Sequence, residues 1–184
     1  ELPSNLGNSD SLEHLDFRLN NIEGAIPASF GNMTNMLYFH ASYNKLSGEI
    51  PEELANMVNA SQFGLAYNEL TGPFPDFLIR NRVANFDMLR IENNNLTGNL
   101  PHDIDVTNLQ SMTVFSLSGN NFTGSIPNWV TQIADMKLLN LDSNNFSGDL
   151  PPGFHDTNSP FYLKMRSLRL NGNNLTGPLP QEGF

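Results

Sequence analysis

The side chains best suited by type to proton transfer or metal ligation are four histidines, His14, His40, His102 and His155. The run His102-Asp103-Ile104-Asp105 could be drawn as a metal site. That run follows Pro101 and reads as a solvated turn rather than a metal site. There is no G-x-S-x-G, H-E-x-x-H, P-loop, G-x-G-x-x-G or EF-hand loop. The chain has no cysteine, which excludes thiol catalysis and thiolate metal sites. The expectation is a non-enzyme with no catalytic residue, no metal and no cofactor. The chemistry left is recognition. Tyrosine and arginine are common interface anchors, and Arg18, Tyr38, His40, Tyr43, Tyr67 and Arg90 are the candidates. Six N-x-(Ser/Thr) sequons, at Asn32, Asn59, Asn95, Asn121, Asn145 and Asn174, are acceptors for N-linked glycans if the chain traverses a secretory pathway. Four of them fall in the phrase N-N-(Leu/Phe)-(Thr/Ser)-Gly, whereas Asn32 and Asn59 lie elsewhere.

The elements that must position these side chains come from an internal repeat. An asparagine recurs at Asn20, Asn44, Asn68, Asn94, Asn120, Asn144 and Asn173, at spacings of 24, 24, 26, 26, 24 and 29 residues. Four residues after each stands a glycine, from Gly24 to Gly177, and three further on a proline, from Pro27 to Pro180. Apolar residues precede each asparagine by eight, five and three positions, as in Leu12, Leu15 and Phe17. Alternation such as Leu15-Asp16-Phe17 is the period of a short strand with one buried face. One coil cannot bury that face alone, so successive coils must stack. A buried asparagine amide both donates and accepts, and can pair backbone groups of its own and adjacent coils. The seven asparagines are therefore read as a structural ladder.

This is the pattern L-x-x-L-x-L-x-x-N-x-L, extended by G-x-I-P. It resembles the plant-type extracellular leucine-rich-repeat family, which includes receptor-like kinase and receptor-like protein ectodomains and polygalacturonase-inhibiting proteins. The resemblance implies a right-handed α/β solenoid, rich in β, with a short parallel sheet on the concave face and 3-10 or irregular turns on the convex face. A single domain over 1–184 is expected: a partial coil at 1–11, then coils starting near 12, 36, 60, 86, 112, 136 and 165. Segments 52–56 and 128–134 have room for a helical turn. Extra residues lie near 79–84 and 103–108, and the longest insert, 153–162, reads as a polar loop. Family members carry cysteines in terminal caps; none is present, so the chain is expected to be the interior of a longer protein. The end, Gly177 to Phe184, resembles the final repeat of receptor-kinase ectodomains.

The net charge of −10 opposes direct binding to nucleic acid or to an anionic membrane, and no apolar run reaches membrane-spanning length. The resemblance implies recognition of a protein or peptide ligand outside the cell or at its surface. Two alternatives remain: a secreted inhibitor of a cell-wall-degrading enzyme, which an acidic concave patch would favour, and a structural or ice-binding surface, which a flat threonine-rich face would favour. On the concave face the tyrosine cluster predicts a binding centre in the N-terminal coils. Contacts are expected to thin towards the C-terminal end, where Ser116, Ser118 and Gly119 are small, unless the 153–162 loop contributes. His40 in the patch predicts pH sensitivity near 6–7.

Overall fold

The computed structural model describes residues 1–80, 82 and 86–178. Each full coil places one three-residue strand in a seven-stranded parallel sheet: His14–Asp16, Tyr38–His40, Gln62–Gly64, Met88–Arg90, Val114–Ser116, Leu138–Asn140 and Ser167–Arg169. Spatial order equals sequence order, as a coil that climbs one step per turn requires. The middle residues pair in one row: Leu15, Phe39, Phe63, Leu89, Phe115, Leu139 and Leu168. They point inward, and those from Phe39 to Leu139 are fully buried. The residues on either side of them face the concave surface. One contiguous apolar cluster runs from Ile26 to Phe161 beneath this sheet. Burial of this kind is the main favourable term in folding.

The ladder asparagines hold the coils together. Asn120 Nδ2 donates to Leu117 O of its own coil at 3.0 Å and to Ile91 O of the preceding coil at 3.0 Å, while its Oδ1 accepts from Leu96 N–H at 3.0 Å. Asn44, Asn68, Asn94, Asn144 and Asn173 repeat the arrangement. Each interior carbonyl in the ladder therefore receives two amides. Leu117 O, for example, takes Asn120 and Asn144. Asn20, in the first full coil, is exposed and donates to Phe17 O and Arg18 O.

A second set of strands, not anticipated from the repeat, follows the ladder. Glu23–Gly24, Lys45–Glu49 and Glu69–Thr71 form a three-stranded sheet; Thr97–Asn99, Asn121–Gly124, Asn145–Asp149 and Asn174–Thr176 form a four-stranded one. A single bridge, Pro73 to Thr97, joins them. The signal was present as alternation: in Asn121-Phe122-Thr123 the phenylalanine is buried and its neighbours are exposed.

Short 3-10 helices line the convex side, including Glu52–Asn56 and Asn128–Gln132 where helical turns were expected. Ala28–Asn32 packs so closely on Glu52–Asn56 that a Cβ on Gly31 would stand 2.2 Å from Glu53 O. The 153–162 insert is not simply a polar loop. Its end folds into the α-helix Pro160–Lys164, capped by the Ser159 hydroxyl, which accepts from Tyr162 N–H at 3.2 Å. The helix stays because Phe161 is buried edge-on against Phe154, at 5.5 Å between centroids. Of the insert near 79–84, residues 81, 83 and 84 lie outside the described residues, as do 179–184 of the expected final repeat. Arg82 plugs that region. It donates to Leu78 O and Met57 O between the rings of Phe63 and Phe86, and burial lowers its pKa to about 10.

Candidate ligand-binding face

The six recognition candidates do not form one patch. Arg18 is folded back on Asp16 through Nε at 2.9 Å and Nη2 at 2.6 Å, and this guanidinium lowers the Asp16 carboxyl to about 2. Tyr38 packs edge-on against His14, at 4.6 Å, in a hollow of about 330 Å³ that His40 and Gln62 also line. Gln62 Nε2 donates to Asp87, so its carbonyl is left to accept from His40 Nε2, at 3.2 Å, which assigns the proton to that nitrogen. Asp87 also accepts from Thr113 Oγ1 at 2.6 Å, so the network crosses four coils. Burial, with Arg18 adding to it, lowers the His40 pKa below 6.5. The expected pH response near 6–7 is therefore moved to lower pH.

Tyr43 and Tyr67 stand apart from that network. They stack on each other at 4.4 Å with their planes 9° apart, and both remain exposed, at 48% and 43%. Each immediately precedes a ladder asparagine. That position is left-handed in every full coil: Leu19, Tyr43, Tyr67, Asn93, Gly119, Ser143 and Gly172 have φ between 53° and 66°. Glycine adopts this conformation without steric cost, whereas for tyrosine it is strained. Two bulky rings are thus held where other coils use Gly119 and Gly172.

The pair opens onto a depression of about 480 Å³ that runs along the concave sheet past Arg90, Glu92, Ser116, Ser118, Asn140 and Asp142 to Arg169. The C-terminal coils, expected to contribute little, supply most of it. Asn140 Nδ2 donates to Ser118 Oγ at 3.0 Å, which fixes one wall. Arg90 Nη1 stands 3.9 Å from Glu92 Oε1, with the Arg90 side chain 45% exposed. Glu92 is buried to 9% exposure, and burial raises its pKa, with Arg90 and Ser116 opposing. Burial likewise raises the Tyr67 pKa, with Tyr43, Glu92 and Asp142 adding to it.

The other candidates find separate partners. Asp103 pairs with Arg80 at 2.8 Å, Asp105 accepts from Thr107 N–H and Oγ1, and His102 Nε2 lies 3.3 Å from Ser125 Oγ. Among the described residues no three His, Cys, Asp or Glu side chains form a group able to hold a metal. The sequon asparagines 32, 95, 121, 145 and 174 are exposed; Asn59 is half-buried and donates to Thr34 O at 3.2 Å. Among the described residues no helix is long and apolar enough to cross a membrane.

The profile of the Leucine Rich Repeat family matches residues 11–33, 35–57, 111–133, 135–156 and 164–183, more than half of the chain. The chain belongs to the leucine-rich repeat family. This leucine-rich repeat chain is similar to the plant peptide hormone receptor RGFR1, solved in complex with RGF2, at 34% identity and a TM-score of 0.87 over 97% of its length. It is similar to the LRR ectodomain of the Arabidopsis thaliana receptor kinase GASSHO1/SCHENGEN3, solved with CASPARIAN STRIP INTEGRITY FACTOR 2, at 32% identity and a TM-score of 0.87 over 98%. The repeats here span only 27% of the first and 20% of the second. A plant ice-binding protein shares the fold at 23% identity and a TM-score of 0.72, covering 100% of this chain and 63% of that one. No curated protein sequence matches.

Proposed function

We propose that this chain is a segment of an extracellular or cell-surface ectodomain that recognises a peptide or protein ligand on its concave face, without catalysis. The observation that carries this reading is the exposed Tyr43–Tyr67 stack at the head of the 480 Å³ depression. Tyrosine supplies apolar area with a polar tip, and a rigid sheet presents it without the entropy cost of ordering a loop. The similar plant peptide hormone receptor solved with RGF2, and the similar receptor-kinase ectodomain solved with CASPARIAN STRIP INTEGRITY FACTOR 2, support the same reading.

The inhibitor alternative called for an acidic concave patch, but this face mixes Arg18, Arg90 and Arg169 with Asp16, Glu92 and Asp142. The ice-binding alternative called for a flat threonine-rich face. Ser47, Thr71, Thr97, Thr123, Ser147 and Thr176 stand in register on the lateral strands, but Glu23 replaces the hydroxyl in the first coil, and Lys45, Glu49 and Glu69 flank the column with charge. On the extracellular reading, the exposed sequons carry sugar, at Asn32 and at several of Asn95, Asn121, Asn145 and Asn174. Mass spectrometry of the protein from its source would find it.

The test is selection of peptides from a displayed random library on the folded chain, followed by affinity measurement on the double variant Tyr43→Asn/Tyr67→Asn. Asparagine tolerates the left-handed backbone, so folding is preserved. Binding should weaken by at least about 2 kcal/mol, as for an anchor pair. Unchanged affinity in the folded variant would remove this face as the site.

A further inference from the structure

Resting on that reading, we infer that the depression beside Tyr67 is built to take one cationic side chain of the ligand, of the guanidinium class, which stacks on the Tyr67 ring and donates to the Glu92 carboxylate.

Glu92 is the reason. It is only 9% exposed, it lines the depression, and its Oε2 has no hydrogen-bond partner among the described residues. A buried carboxylate oxygen left unpaired costs folding free energy, so its retention calls for a donor that arrives later. Arg90 is not that donor. It stands 3.9 Å from the other oxygen, beyond hydrogen-bond reach, and its side chain is 45% exposed.

The repeat itself gives no reason for an acid here. Glu92 stands two residues before a ladder asparagine. The same position holds Ala66 and Ser118 in the flanking coils and Ser42 one coil further, all nearly buried; the other acid of the column, Asp142, lines the same depression, and Arg18 and Asn171 stand in the end coils. Small residues suffice to build the coil, and the Ser42 hydroxyl even accepts from a backbone N–H, that of Ala66. The carboxylate is an addition to the scaffold, not part of it.

The surroundings favour a flat cation. Along the left-handed column the rings end at Tyr67, and Asn93 and Gly119 follow. A Cβ on Gly119 would lie 2.6 Å from Asn93 Oδ1, so the Asn93 amide packs over Gly119, and neither residue carries a ring into the depression. A guanidinium laid on the Tyr67 face would extend the Tyr43–Tyr67 stack by one plane, as arginine does on aromatic rings. From there its N–H groups reach towards Glu92, with Asp142 lining the same depression. Lysine would satisfy the charge but not the stack.

The test uses Nα-acetyl-arginine amide as probe and Nα-acetyl-citrulline amide, its neutral isostere, as control. Binding is followed through the backbone amide resonances of Tyr67, Glu92, Ser116 and Ser118. The arginine probe should bind at least about tenfold more tightly than citrulline, the worth of one charge-assisted hydrogen bond. Glu92→Gln, which keeps the shape and removes the charge, should erase that difference without lowering the Tm. Equal binding of the two probes, an arginine preference that survives in Glu92→Gln, or no shift of these resonances with arginine would each overturn the inference. Library peptides that need Tyr43 and Tyr67 but show no basic preference would overturn it too, while leaving the concave-face reading intact.

Discussion

Replacing Asn120 with alanine tests whether the asparagine ladder, rather than apolar stacking alone, binds one coil to the next. The side chain is 7% exposed and serves three backbone groups at 3.0 Å, with Ser118 O further off at 3.4 Å. Two of them, Ile91 O and Leu117 O, keep a second amide, from Asn94 and Asn144. The third, Leu96 N–H, bonds to Asn120 Oδ1 and belongs to a fully buried residue. Orphaning that donor costs about 1–3 kcal/mol, and halving the supply to each carbonyl adds roughly 0.5 kcal/mol apiece. The sum is about 2–4 kcal/mol. Denaturant unfolding measures the total, and native-state hydrogen exchange locates it: Leu96 N–H should lose protection beyond the global change, while Phe122 N–H, held by Asn144 Oδ1, should follow the global change only. Asn20→Ala is the control. Its side chain is exposed, so water can replace it and the cost should stay below about 1 kcal/mol. A loss below about 1 kcal/mol at Asn120, or Leu96 exchange unchanged, would refute the argument.

Gly31→Ala should destabilise by about 1–3 kcal/mol, read from denaturant midpoints, because its Cβ meets the backbone carbonyl of Glu53 and not a side chain that could move. An NMR titration should find His40 with a pKa below 6.5, with Nε2 carrying the proton in the neutral form. Because the folded pKa lies below the unfolded one, stability falls as pH drops through the window beneath 6.5. Glu92 has the opposite sign: its folded pKa is raised above 4.5, so the folded state binds more protons and stability falls as pH rises from 4.5 through the folded value. Unfolding midpoints of Glu92→Gln should lack that slope.

The sequence alone determined the coil. Asparagine, glycine and proline recur at fixed offsets because each answers a local backbone demand, and the inward leucines and phenylalanines mark one face of a strand by period. Local demands of that kind are legible one repeat at a time. The lateral strands were legible too, in the alternation of Asn121-Phe122-Thr123, though short and interrupted by glycine. What the tertiary structure decided is which concave side chains remain available. Arg18 looked like a free anchor until Asp16 took it, and Tyr38 and His40 were drawn into contacts with His14 and Gln62. Tyr43 and Tyr67, by contrast, stayed exposed. Glu92 carried one local clue, an acid where the flanking coils place Ala66 and Ser118, shared in its column only by Asp142. That one of its oxygens would be buried and unpaired depended on where the neighbouring coils came to rest around it. For Arg18 the competing partner lies two residues away, but for Tyr38 and His40 the partners lie more than twenty residues off and meet only when the coils stack.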